Sequence, residues 1–463
     1  MFSHFRWAVL VFAVAIFVSS SASAQLITSI GGVEGWFRGD AGVTTDAFGV
    51  SQWNTQVGTD HALRMNATLG PMLVNSPTLN NQPVLRFSGG ATNDDLAFTG
   101  VAHGNGNDFS LLAVVQPTAG PDVGDTIGFF LGSNAGGNDS TKLGFWNQGG
   151  GFFRRVANGA NQVPGTWPAA ASPIPGSAAY LQRNSSNIVD SVVDGVALAD
   201  PGGVAITQTS QINRIGGPEN SASSQNFPGD IAELVFFGDT LNTAERTLAM
   251  NYLSAKYNIG GTQVGADNTL GSDDRYAGDL TSNGNFDQGV FGIGQAADGS
   301  SLTSSLDGGM SLTATGGLDN DEFVMAGFKV ATNAVVAGNL NPQLAGDQWQ
   351  REFFVDISGG NVDVDLAFDF SDGGLAAPDP SDEFSLLFRT DEGSPFDQLD
   401  FTPLVSGDTV TFSLNTGDLP GDGIYTLGVN VAVVPEPHSI AIWCLLGLIS
   451  TGIAWRRTRA RVV

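Results

Sequence analysis

The chain has 463 residues, with 46 Asp and Glu against 19 Lys and Arg and a formal charge of −27. A surface this acidic repels DNA, RNA and anionic lipid, so a nucleic-acid partner is excluded. With Cys444 as the one cysteine and only four histidines, disulfides, thiol nucleophiles, thiolate sites and histidine-rich metal centres are excluded as well. At the N-terminus Arg6 precedes an apolar stretch from Trp7 to Val18, and Ala22-Ser23-Ala24 then offers small residues to signal peptidase. Residues 1–24 therefore read as a signal peptide cut between Ala24 and Gln25, which exports the body.

From residue 25 onward glycine, Asn, Asp, Ser and Thr punctuate short runs of β-branched and aromatic residues, which predicts an all-β body of sandwich or jelly-roll type. The runs are 82–87, 109–115, 126–131, 188–193 and 231–237, then 323–328, 353–357, 362–370, 384–389 and 409–414. One segment departs from the pattern. Ala244, Leu248, Tyr252 and Ala255 recur at helical spacing behind Leu241, predicting a helix over 242–258. Asn242 and Glu245 have the spacing of a capping box, and Gly260-Gly261 supplies the stop. Residues 259–270 are Gly-rich and polar with no apolar period, as in a linker, so the body divides into domains 25–258 and 271–430.

Within the first domain Trp36-Phe37-Arg38-Gly39-Asp40-Ala41-Gly42-Val43, Val50-Ser51-Gln52-Trp53-Asn54, Gln82-Pro83-Val84-Leu85-Arg86-Phe87 and the run 109–116 come in one order with a close at Phe227-Pro228-Gly229-Asp230-Ile231-Ala232-Glu233-Leu234 and Tyr252-Leu253-Ser254-Ala255-Lys256-Tyr257. That order resembles the concanavalin A-like, LamG-type jelly rolls of bacterial surface proteins. The resemblance implies that Trp36 and Trp53 are core residues and that Glu233 is a strand-end partner of an arginine. It implies no single activity, because this fold hosts lectins, adhesion modules, enzymes and spacers alike. The second domain, in which Gln348-Trp349-Gln350-Arg351-Glu352 is expected to open a strand, resembles the sandwich that often follows such modules.

The C-terminus reads as a second address. Val434-Pro435-Glu436-Pro437 is followed by an apolar run over 439–455 and then by Arg456, Arg457, Arg459 and Arg461. A run of this length sits at the low edge of the roughly 17–25 residues that span hydrocarbon as a helix. The arginines hold their flank in the cytoplasm, which places the body on the far side of the inner membrane. Residues 434–463 resemble the PEP-CTERM sorting tail, which implies recognition of Pro435-Glu436-Pro437 by an exosortase-type enzyme, transient anchoring in the inner membrane, and release to the cell surface or the medium. Arg6 and the four tail arginines leave with the two ends, so the mature body is more acidic than the precursor.

Candidate sites follow from residue chemistry. Calcium takes carboxylates on loops, and Asp94 and Asp95 in the jelly roll lead the candidates, ahead of 273–274, 319–322 and 379–383. Saccharides stack on exposed aromatic faces, for which Trp146, Trp167 and Tyr180 are the candidates. Asp363, Asp365 and Asp369 alternate with apolar residues, as the carboxylates of some jelly-roll glycosidases do, and equally as any half-exposed strand does in an acidic protein. The reading is an exported, exosortase-sorted surface or matrix protein without catalytic activity. Its partners are signal peptidase, the sorting enzyme, and exopolysaccharide, surface glycans or another surface protein, and it requires no cofactor. A secreted polysaccharide-acting glycoside hydrolase and a structural spacer without ligand are the alternatives.

Overall fold

The structure, a computed structural model, describes residues 26–433 apart from 91–93, 104–107, 118–126, 134–141, 147–150, 156–161, 167–176, 184–188, 194–195, 199–209, 219–224, 260–273, 361, 380 and 416; between 145 and 210 the side chains are also left out. The signal peptide with its Ala24-Gln25 cut and the tail 434–463 lie outside the described residues, as does nearly all of the 259–270 linker. Among the described residues no helix is long and apolar enough to cross a membrane.

Antiparallel strands make up almost all of the rest. Seventeen strands from Val33–Arg38 to Asn226–Phe237 form one hydrogen-bonded network. After the long helix a nine-stranded sheet packs on a five-stranded one, the latter in the order Ser304–Asp307, Met310–Ala314, Val364–Asp369, Thr409–Leu414, Leu404–Ser406. The body is thus all-β and sandwich-like.

Aromatic residues fill both interiors. In the first, Phe37 lies 5.5 Å from Trp53, 5.4 Å from Phe98 and 6.4 Å from Phe236, ring centre to ring centre. In the second, Trp349 meets Phe368 at 5.4 Å and Phe370 at 5.2 Å, both nearly edge-on, as quadrupoles prefer. The Phe87 ring presses on backbone: Gly216 sits at φ +87°, and a Cβ there would come within 2.2 Å of it.

The strand Asn226–Phe237 is buried at every position. Leu234 and Phe236 point into the first interior with Phe37, while Ala232, Val235 and Phe237 point the other way. A strand apolar on both faces needs a second cover, and the helix Thr243–Tyr257 supplies it. That helix starts as expected: Asn242 accepts from the Glu245 amide at 2.9 Å, and Glu245 returns the bond to the Asn242 amide at 2.9 Å. Its end differs from expectation. Asn258 itself adopts the left-handed conformation (φ 51°, ψ 51°), so the chain has already left the helix before Gly260-Gly261.

Every helix residue from Leu248 to Tyr257 is buried. The second sandwich, through the strand Gln288–Gln295, closes over the side that a domain border would leave wet. One hydrophobic core therefore runs from Leu26 through the helix to Val431, on both sides of the predicted linker. Two smaller expectations shift. The strand read as 362–370 is Val364–Asp369, and Gln348–Glu352 opens no strand: Leu344–Trp349 ends within it and Phe353–Ser358 starts after it.

Candidate functional site

Where the outer face of the first sandwich meets the second, the apolar packing gives way to charge. Glu233 shares a strand face with Val235 and is 1% exposed. Its carboxylate accepts from the Trp36 indole N–H at 2.7 Å, the Tyr257 hydroxyl at 2.7 Å, the Lys256 ammonium at 2.8 Å and the Tyr252 hydroxyl at 3.0 Å. The helix brings these partners together because Tyr252 and Lys256 stand four residues apart on one face, with Tyr257 adjacent. The expected arginine partner is therefore a lysine, and Glu233 lies in the middle of the packed face and not at a strand end. Trp36 and Trp53 are buried, as expected.

Lys256 also lies 3.4 Å from Asp40, whose carboxylate grips Arg38 through two bonds of 2.9 and 2.6 Å. Burial works to raise the Asp40 carboxyl, but Lys256 and Arg38 overcome it and hold it below the usual carboxylate range. Burial, then the charge of Glu233, raises the Tyr252 and Tyr257 phenols well above their ordinary value, so both remain donors.

Arg38, Asp40 and Lys256 form one wall of a cleft of about 610 Å³. Asp307, Asn333 and Arg351 of the second sandwich form the other. Arg351 stacks on Phe328, 4.5 Å from the ring centre, and donates to the carbonyls of Gly308 (2.5 Å), Val330 (3.1 Å) and Ala331. Asp307 is 2% exposed, and its Oδ2 has no hydrogen-bond partner. Burial pushes its carboxyl up to about 7, against the pull of Arg38, the Gly308 amide, Arg351 and Lys256. The cleft thus holds one carboxyl poised to keep a proton near neutral pH and one that is firmly ionised.

The residues singled out in sequence lie elsewhere. Asp95 is paired with Arg214 at 2.7 Å, both buried, and Asp94 accepts from the Ser88 amide at 2.6 Å. The Arg214 guanidinium thus answers the Asp95 charge. Among the described residues no group of three or more His, Cys, Asp or Glu side chains could hold a metal ion. The other acidic turns fold back on their own backbone: Asp379 accepts from the Ser381 amide at 2.9 Å, and Glu322 from the Asp319 amide at 2.6 Å. Trp167 lies outside the described residues; Trp146 ends the strand Lys142–Trp146 and Tyr180 lies within Ser177–Arg183, their side chains outside the description.

Of the alternating aspartates, Asp369 has a structural role. Asp369 accepts from the Ser371 hydroxyl (2.8 Å), the Asp372 amide (2.9 Å) and the Thr409 hydroxyl (3.2 Å), which closes the turn after its strand. Asp363 precedes the strand and lends its carbonyl to Thr315. Sequence reasoning did not single out Asp307 or Asn333, and it read Arg351 only as part of a strand opening. Lys256 carried a usable signal. It is one of three lysines in a strongly acidic chain, four residues after a tyrosine on a predicted helix.

No family profile matches the chain, and no curated protein matches it. Solved structures show partial likeness. Trypanosoma rangeli sialidase with the inhibitor DANA is 16% identical at TM-score 0.32, over 46% of this chain and 31% of the sialidase. Ruminococcus gnavus IT-sialidase CBM40 bound to α2,3 sialyllactose is 14% identical at 0.25, over 35% of this chain and 91% of that one. Domain 4 of AbnA, a GH43 extracellular arabinanase from Geobacillus stearothermophilus, in complex with arabinotriose, is 12% identical at 0.31, over 45% and 94%. The chain spans about a third of the length of the sialidases it matches. Likenesses this small assign no residue a role.

Proposed function

We propose that this chain is an exported surface or matrix protein, sorted through a PEP-CTERM-like tail, whose concanavalin A-like first sandwich and second sandwich together bind carbohydrate without turning it over. The observation that supports the binding half is the cleft between the sandwiches: it is large enough for a sugar, it is lined by several polar side chains, and its Lys256 charge is answered by Asp40 and Glu233. Calcium is not required in this reading. The export half rests on Ala24-Gln25, Pro435-Glu436-Pro437 and the arginines at 456, 457, 459 and 461. Its experiment is replacement of Pro435-Glu436-Pro437 by alanines in the native host, which should leave uncleaved precursor in the inner membrane. Normal release of mature-sized protein from that variant would sink the sorting assignment.

A second reading, a glycoside hydrolase, is favoured by one observation. Asp307, raised to about 7, and Asp40, held ionised, face the same cleft, as an acid and a partner carboxylate would. A polysaccharide turnover panel separates the two readings: the binding reading expects no product, and product that vanishes in Asp307→Asn would establish the enzyme.

A further inference from the structure

Two polar groups in the cleft lack partners. The Asn333 Oδ1 accepts from the Ala334 amide at 3.0 Å and the Arg351 amide at 3.0 Å, which fixes the amide's orientation. Its Nδ2 is consequently turned away from both, buried and without a partner. Across the same cleft the Oδ2 of Asp307 is buried and unpartnered. A buried group left unpaired is destabilising, so a donor and an acceptor stranded in one cavity mark a place where an occupant supplies both.

We propose that this cleft holds one unit of a neutral saccharide, with Asp307 and Asn333 taking its hydroxyls. This rests on the carbohydrate reading above and places its site. A hydroxyl both donates and accepts, so neighbouring hydroxyls on a sugar ring match a carboxyl oxygen on one wall and an amide N–H on the other. The occupant is neutral because the cations are already answered. Arg38 and Lys256 have Asp40 and Glu233, Arg351 is wrapped in carbonyls, and the acidic chain repels anionic glycans at long range. The space exceeds what a single water fills and falls within the roughly 300–1,000 Å³ of ligand sites. Half-buried Gln82 and Gln288 stand on opposite walls, adding amides that can fork to ring hydroxyls.

The test is calorimetric titration of the exported protein with neutral oligosaccharides of glucose, galactose, mannose and xylose. Asn333→Asp keeps the oxygen that holds the loop and removes the donor; Asp307→Asn keeps shape and alters the acceptor. Each should weaken binding about tenfold or more, with the melting transition still cooperative. Thr332→Tyr, at an exposed position of the rim, should block entry without touching the floor, and so decides the matter if a floor variant unfolds. Full-strength binding by all three variants would overturn the cleft and leave the carbohydrate reading standing. Binding of uronic-acid oligomers alone would overturn neutrality. No binding of any series by the native protein at millimolar sugar would overturn the site and the carbohydrate reading together.

Discussion

Glu233 and Lys256 form a buried ion pair beside the cleft. Breaking such a pair from one side leaves the other charge stranded, at a cost of about 3–5 kcal/mol. Lys256→Met should therefore lower unfolding free energy by about 3 kcal/mol in urea titration, and adding Glu233→Gln should recover part of the loss, since an amide oxygen in the Oε1 place still accepts from Trp36 and Tyr252 while the amide N–H donates to the Tyr257 hydroxyl. A double variant no better than the single one would show that the lysine acts through packing. The raised carboxyls give a pH signature. Asp307 and Asp356 reach about 7 and Asp94 about 6, so in the folded state they hold protons that the unfolded chain has released. Their contribution is full below the ordinary carboxyl value near 3.8 and is lost as pH rises to about 7; Asp40, shifted downward, contributes above that value and fails as pH falls further. Melting temperature should peak near pH 4 and fall by on the order of 5 °C by pH 8, with a shallower fall in Asp307→Asn. A flat profile would contradict the buried placement of these groups.

At the scale of elements, the runs 82–87, 109–115, 231–237, 353–357, 384–389 and 409–414 all fall inside strands, because a two-residue period or an unbroken apolar run is written locally. The helix start was equally readable: Asn242 and Glu245 announce a bond that needs only three residues to form. Removing it with Asn242→Ala should cost about 1 kcal/mol, whereas Asn258→Gly, which relieves the left-handed position at φ 51°, should be neutral or slightly stabilising. Asn258→Val should be the most harmful of the three, checked by the same denaturant series. The cleft was unreadable for a physical reason. Asp307 enters from a hairpin turn between Ser304–Asp307 and Met310–Ala314, and Asn333 from a connector, and only the packing of one sandwich on the other decides that they face Arg38 and Lys256. Asp94 and Asp95 show the limit from the other side. Adjacent carboxylates look like a cation site until the fold delivers Arg214 to one of them.

For the whole molecule, the shared core changes what separating the halves would do. Protease directed to the Gly-rich stretch 260–270 should nick the chain, yet the fragments should stay together on size exclusion and melt in one transition, because the helix is enclosed by both sandwiches. Fragments that part without denaturant would show the contact to be weak. Expressed alone, residues 25–258 should expose Leu248 and the helix face that Gln288–Gln295 covers, and bind a hydrophobic dye that the intact body does not.

The last described strand, Gly423–Val433, leads directly into the sequence of the tail. It is not at a sheet edge. Phe384–Arg389 bonds to it along one side, and Phe353–Ser358 followed by Leu344–Trp349 along the other. Under the proposed sorting, drag on a body held at the membrane would pull this strand along its own axis. The ladder bonds on both flanks then share the load and must shear at once, where an edge strand would peel one bond at a time. In a force-spectroscopy trace pulled from the C-terminus, the second sandwich should consequently give a single high rupture peak, and under the proposed sorting the anchor should leave the lipid before the fold unravels.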